Sequence, residues 1–255
     1  RATKAKDAGL EPFSHWLAEL QDSQADILIK ATEFINKEKG YDTPEKVLAG
    51  ARDILAEELS DNADIRKWMR ELAIEEGFIL SEVKKDYEGK KTKFEMYYNY
   101  KEKVSSLPSH RTLAMLRGER EKVLRLSLLI PEESAKNHLT KELIKFPQST
   151  AAQQLQLVVE DCFNRLLLPA TETEIRKEIR DRADSEAIKV FGENLEGLLL
   201  SPPAGRKAVI GVDPGFRTGC KLAVIDDTGK FVEHATIYPN PPQKNAEEAS
   251  AVILS

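Results

Sequence analysis

The chain has 255 residues, 41% apolar and 32% charged, with 38 Lys and Arg against 43 Asp and Glu and a formal net charge of −5. That balance suits one large or two modest domains rich in solvated helix, and it excludes a surface uniformly coated for nucleic acid. No apolar run approaches the roughly 20 residues of a membrane span, no signal peptide is visible, and Cys162 and Cys220 lie far apart without metal-ligand spacing. The thiols are therefore expected to be reduced and structural, the location cytoplasmic, and no membrane or cofactor is implied. The chain opens without Met, inside a charged helical pattern, and is expected to be a fragment.

The first 200 residues read as mostly helical. Leu10–Leu20 carries one apolar face (Phe13, Trp16, Leu17, Leu20), and Ile27–Phe34 continues the pattern until Gly40 stops it. Thr43 caps a helix with Pro44 at its first position and a stripe of Val47, Leu48, Ala51, Ile54, Leu55 and Leu59. Ser60 or Asp61 caps the next, whose face is Ile65, Trp68, Met69 and Leu72, and Gly77 ends it. Phe78–Val83 predicts a short strand, Ser109–Arg117 a helix after Pro108 with Ser109 as its cap, and Val123–Ile130 a second short strand. The two strands can pair in a small sheet that closes a helical subdomain, a winged or scaffold element.

That subdomain holds a concentration of positive charge. Between Lys84 and Arg125 stand twelve Lys and Arg against six Asp and Glu, inside an otherwise acidic chain. Such a block attracts phosphates, and its aromatics (Tyr87, Phe94, Tyr97, Tyr98, Tyr100) offer stacking surfaces. The candidate nucleic-acid contacts are Lys90, Lys91, Lys93, Arg111, Arg117 and Arg120. The competing reading is structural: Phe94, Tyr97 and Tyr98 recur at helical spacing, as core residues do, and Lys84–Lys93 is a solvated loop around Gly89.

Two long helices follow, Ala151–Leu167 and Glu172–Asn194, separated at Pro169. Leu155, Val158, Val159, Cys162, Phe163 and Leu166 line the first; Ile175, Ile179, Ala183, Ala187, Val190 and Phe191 line the second. Its dense opposite charges read as a solvated face. Residues 201–207 break the helical pattern as a linker, and 208–255 turn β-rich. Ala208–Val212, Lys221–Ile225 and Phe231–Tyr238 predict three strands, with a turn at Asp226–Gly229 and Glu247 and Glu248 on a following helix.

Between the first two of these strands runs GVDPGFRTG, with Asp213 where a strand ends beside a glycine turn. RNase H-like folds present the first ligand of a magnesium site in this way, so Asp213 is the one RNase H-like catalytic candidate. Two-metal cleavage needs carboxylates converging on ions about 4 Å apart. Asp226 and Asp227 fall at the opposite end of the second strand, about 20 Å away at about 3.3 Å per residue, too far to share a metal. Asp213 is therefore read as a turn-former whose carboxylate accepts amide hydrogens, and no metal site is assigned. Arg217, in the exposed turn, is a further phosphate candidate. His15, His110, His138 and His234 are scattered, His110 is read as a helix-start or packing residue, and no phosphate loop, dinucleotide fingerprint or nucleophile elbow occurs.

TKAKDAGLEP near the start, GARDILAEEL at Gly50–Leu59, SHRTLAMLRGERE at Ser109–Glu121, RADSEAIKVFGENLEGLLLSPPAG at Arg182–Gly205, GVDPGFRTGCKLAVID and ATIYP occur in one order across nearly the whole chain. In this the chain resembles the central part of the Tex family of bacterial transcription accessory proteins. The resemblance implies a mainly α scaffold with a small β element over 1–200, then the first β-strands of an α/β RNase H-like (YqgF-type) domain over 208–255. It implies helix-hairpin-helix and OB-fold RNA-binding elements further along such proteins, and a YqgF-like domain that lacks a complete nuclease site. The function it implies is a non-catalytic, nucleic-acid-binding transcription accessory scaffold. RNA or DNA would be held mainly through other domains, with the transcription machinery as a further partner. The alternatives are a truncated metal-dependent RNase H-like nuclease or resolvase, and a protein-interaction scaffold. An incomplete sheet also leaves an unpaired edge, so 208–255 is expected to be mobile, to pack back on the helices or to pair with another copy.

Overall fold

A computed structural model describes residues 1–202, 205–215, 217–241, 243 and 245–254. The chain is mostly helical with two small antiparallel sheets, and it divides into two compact units, 1–192 and 193–255.

The first core of unit 1 gathers around one long helix. Helices α1 (Ala2–Asp7), α2 (Glu11–Glu19) and α3 (Ile27–Thr32) pack on α4 (Pro44–Asp61). The Thr43 side chain accepts from the Lys46 amide at 3.4 Å and Pro44 opens the helix, as the sequence predicts. Val47, Ala51, Ile54 and Leu55 are buried with Phe13, Leu17 and Phe163, and each of these side chains larger than alanine contributes about 1.5–3 kcal/mol on full burial. Gly50 permits the close approach: a Cβ there would stand 2.6 Å from Leu10 Cδ1 and 2.7 Å from Tyr41 Cε1. Gly40 does not stop a helix. α3 ends at Thr32, and Gly40, at φ +85°, closes a tight turn whose flanks Asn36 and Tyr41 pair across it.

Asn62, not Ser60 or Asp61, caps α5 (Ala63–Glu75), accepting from the Asp64 and Ile65 amides at 2.9 and 3.2 Å. Ser60 is buried in the last turn of α4 and its hydroxyl is spent on the Glu57 carbonyl at 2.9 Å. Strand β1 (Phe78–Val83) pairs antiparallel with both β2 (Asn99–Lys103) and β3 (Leu124–Leu129), giving the order β2-β1-β3. The two predicted strands thus pair, and β2 joins them although its charge hid it. Helix α6 (Ser109–Arg120) packs on β3; there Gly118 leaves room, because a Cβ would lie 2.5 Å from Leu124 Cδ1. Ser109 is not the cap of α6: Pro108 holds that position, and the Ser109 hydroxyl bonds Glu186. Ile79, Leu124, Leu126 and Leu128 form a second core with Met115, Ile175 and Ile179.

Helix α7 (Glu132–Leu143) packs on α8 (Ala152–Asp161). The chain does not break at Pro169. A π-helical turn (Cys162–Leu167) joins α8 to α9 (Leu168–Leu199), and the Leu168 amide reaches the Phe163 carbonyl. The wide turn removes the need for the amide that proline lacks and relieves its clash with the preceding turn. Ile175, Ile179 and Ala183 are buried as expected, whereas Ala187, Val190 and Phe191, farther along α9, are exposed. Arg182 ties α9 to the carbonyls of Val104 and Leu107, each at 3.1 Å.

Unit 2 is a three-stranded antiparallel sheet, β4 (Val209–Asp213), β5 (Cys220–Ile225) and β6 (Phe231–Ile237), with α10 (Ala246–Leu254) against β6. Its core is small: Cys220, Leu222, Ile237 and Ala249. All five residues of the edge strand β4 are exposed.

Candidate nucleic-acid interface

The basic block, 84–125, folds as the loop between β1 and β2, strand β2, helix α6 and the start of β3. That loop is held by its own chemistry. Phe94 and Tyr97 are buried in the second core, Phe94 before and Tyr97 at the end of a single 3-10 turn (Glu95–Tyr97) rather than on a longer helix. The Tyr98 hydroxyl donates to the Lys90 carbonyl at 2.8 Å, and the Ser81 hydroxyl donates to the Tyr97 carbonyl at 2.8 Å. Gly89, at φ +72°, turns the loop outward beside Lys90 and Lys91.

The six predicted contacts in this block separate into two groups. Lys93 and Arg117 share one carboxylate, Glu121, at 2.9 and 2.8 Å, and the hydrogen bonds from Lys93 and Arg117 hold the Glu121 carboxyl below the usual glutamate range. Arg111 donates to the Tyr100 hydroxyl at 2.6 Å and to Glu102 at 3.0 Å, fastening α6 to β2. These three cations have carboxylate partners within the protein, and Arg111 alone of them links two elements. Lys90, Lys91 and Arg120 are exposed, and among the described residues no carboxylate lies within ion-pair distance of them. Arg120 lies in a cleft with Leu113, Leu116, Arg117, Arg180 and Asp184.

Sequence reasoning missed a second group. In an antiparallel sheet directly opposed residues share a face. Phe78 opposes Lys103 and Leu129, Leu80 opposes Lys101 and Ser127, and Glu82 opposes Asn99 and Arg125. All nine point away from the buried face of Ile79, Ser81, Leu126 and Leu128. Phe78 and Leu80 are half-buried, Leu129 is 37% exposed, and the Lys101 ammonium lies 4.5 Å from the Phe78 ring centroid. The signal was the period-two alternation of Tyr100 and Glu102 with Lys101 and Lys103, obscured by the low β-propensity of a charged segment.

Around GVDPGFRTG, Asp213 ends β4 opposite Lys221, and Phe216 lies outside the described residues. Gly215 and Gly219 fit a turn too tight for side chains: Cβ atoms there would stand 2.6 Å from Thr218 Oγ1 and 2.6 Å from Tyr238 Cε1. Arg217 is exposed in this turn, in a different unit from the other predicted contacts. The turn that follows Asp213 includes Phe216, so the reading of Asp213 as an acceptor for the turn amides falls partly outside the described residues. In the next turn the Asp226 carboxylate accepts from the Thr228 amide at 2.8 Å, the Thr228 hydroxyl at 2.6 Å and the Lys230 amide at 3.0 Å. Those bonds, the Thr228 hydroxyl foremost, hold the Asp226 carboxyl below the usual range. Asp226 follows Ile225, which opposes Val209 at the other end of β4 from Asp213. Glu247 and Glu248 lie on α10, where Glu248 accepts from Asn245.

Most other chemistry-bearing groups are engaged structurally. Burial pushes the Cys162 thiol up to about 12, which removes it as a nucleophile. The His138 ring stacks on Trp68 at 3.8 Å, and His110 is exposed on the first turn of α6. Glu11, His15 and Glu58 converge, but Lys6 already supplies the counter-charge at 3.1 Å from Glu58 and 3.5 Å from Glu11. No helix is long and apolar enough to cross a membrane among the described residues.

The Tex central region-like family matches residues 22–191, and the Tex protein YqgF-like domain matches residues 207–255. The chain is 43% identical over 251 residues to YdcI of Bacillus subtilis, covering 98% of this chain and 35% of that protein. It is 33% identical over 248 residues to the transcriptional accessory protein Tex of Neisseria gonorrhoeae, covering 93% of this chain and 32% of that protein. Human S1 RNA-binding domain-containing protein 1 is 28% identical over 271 residues, covering 100% of this chain and 27% of that protein. The chain thus spans about a third of the length of the relatives it matches.

Proposed function

The chain belongs to the Tex family, and from that premise we propose that it is a non-catalytic, nucleic-acid-binding scaffold of a cytoplasmic transcription accessory protein. The observation that carries the reading is the set of exposed cations Lys90, Lys91 and Arg120, which have no carboxylate partner among the described residues, within a block of twelve basic and six acidic residues. An acidic chain that concentrates its positive charge on one subdomain directs phosphates there and repels them elsewhere. The names of two relatives, one a transcriptional accessory protein and one containing an S1 RNA-binding domain, support RNA or DNA as the partner. A binding role is favoured over cleavage because Asp226 and Asp227 follow the far end of β5 from Asp213, about 17 Å of strand away.

The test is fluorescence anisotropy of labelled RNA and DNA oligonucleotides with the 255-residue chain as salt is raised. Weak binding that falls steeply with salt is expected, and Lys90→Glu with Lys91→Glu should reduce both the affinity and the salt slope. Absence of binding at low salt would overturn the reading, as would magnesium-dependent cutting of the oligonucleotide.

A further inference from the structure

The solvent face of an antiparallel sheet is ordinarily polar, yet the outward face of β1–β3 carries Phe78, Leu80 and Leu129 side by side. Around this apolar row stand three exposed cations, Lys101, Lys103 and Arg125, against one carboxylate, Glu82. We propose that this face is a platform for single-stranded nucleic acid, with Phe78 stacking an unpaired base and Lys101, Lys103 and Arg125 taking the flanking phosphates. The proposal rests on the nucleic-acid reading above and names its ligand class.

Three physical points select this occupant. The charge is complementary to a polyanion and ill-suited to a basic partner. Lys101 and Lys103 share one face two residues apart on β2, about 7 Å along the strand, so they can meet successive phosphates of an extended chain. An aromatic ring on a sheet surface is reached by a splayed base but not by bases held inside a duplex. The Lys101 ammonium, 4.5 Å from the Phe78 centroid, shows that the ring face is accessible to a cation on a flexible stem. A base that takes this position releases the ammonium toward its own phosphate, exchanging an exposed cation–π contact for a stack and an ion pair.

The experiment compares anisotropy of labelled oligo(dT), oligo(U) and a duplex of equal length, using the whole 255-residue chain. Lys101→Glu with Lys103→Glu should weaken single-strand binding about tenfold or more and flatten its salt dependence. Phe78→Leu, which keeps apolar volume, should weaken single-strand binding several-fold and leave duplex binding unchanged. Ultraviolet crosslinking of oligo(dT) to unmodified protein should place the adduct on the peptide containing Phe78, a readout that does not depend on any variant folding. If the Lys101/Lys103 variant binds at full strength while the Lys90/Lys91 variant does not, the platform is wrong and the nucleic-acid reading stands. If no oligonucleotide binds at low salt, both fall. Polyglutamate binding of equal strength, with no response to Phe78→Leu, would also overturn the platform.

Discussion

At the scale of single residues, Glu121 decides how much of the basic block is available. It neutralises Lys93 and Arg117 at once, and both are exposed enough that the pairing contributes little to folding. Glu121→Gln should therefore raise oligonucleotide affinity about threefold to tenfold at low salt, leaving Tm almost unchanged. The pH dependence follows from the lowered carboxyl pKa. The ion pairs are complete above the ordinary value of 4.5 and are lost as pH falls through the depressed folded value. Other carboxylates also protonate on acidification, so the affinity difference between the native chain and Glu121→Gln, and not the affinity of either alone, should shrink as pH falls below 4.5. Anisotropy of both proteins at several pH values checks this; equal affinity at neutral pH, or a difference that persists unchanged into acid, would contradict it. Residue-level signals were legible where a single group does a single job, as with Thr43 and Pro44. They failed at Ser60, Asp61 and Asn62, three consecutive capping residue types, because the choice depends on where α4 stops burying its face.

At the scale of elements, β3 is an edge strand whose Leu126 amide and carbonyl are met by side chains. Glu119 accepts from the amide at 3.4 Å, and Arg176 donates to the carbonyl at 3.2 Å. Arg176 also pairs with Glu119 and with Glu172, so one guanidinium joins α6, β3 and α9. Arg176→Met keeps the stem but removes charged hydrogen bonds at a part-buried site, and should cost about 1.5–3 kcal/mol in urea unfolding. A loss below about 0.5 kcal/mol would show that the edge is satisfied by water instead. Nothing in the sequence around Arg176 distinguishes it from the other charges of that helix. Pro169 misled for a related reason: a proline reads as a boundary from local sterics, but the preceding π-turn lets one continuous helix pass through it. The outward sheet face was hidden likewise, since β2 is held by pairing with β1 and not by its own propensity.

At the scale of the molecule, the two units have separate cores of very different size. All buried residues of the first two cores lie within 1–192, whereas unit 2 relies on Cys220, Leu222, Ile237 and Ala249. Unit 2 also exposes Val209, Ile210, Val212, Phe231 and Val232, so it removes little apolar surface from water for the chain entropy it must offset. Calorimetry of the whole chain should therefore show two transitions, the smaller at lower temperature. Leu222→Ala removes about 2–5 kcal/mol from a core with few neighbours and should abolish the first transition without moving the second. Gly118→Ala forces a methyl against Leu124 and Phe94, costs about 1–3 kcal/mol, and should lower the second alone. Continuity of α9 across the division joins the backbones without merging the cores, so it does not by itself make the transitions one. A single cooperative peak, shifted equally by both substitutions, would show that the cores unfold as a unit.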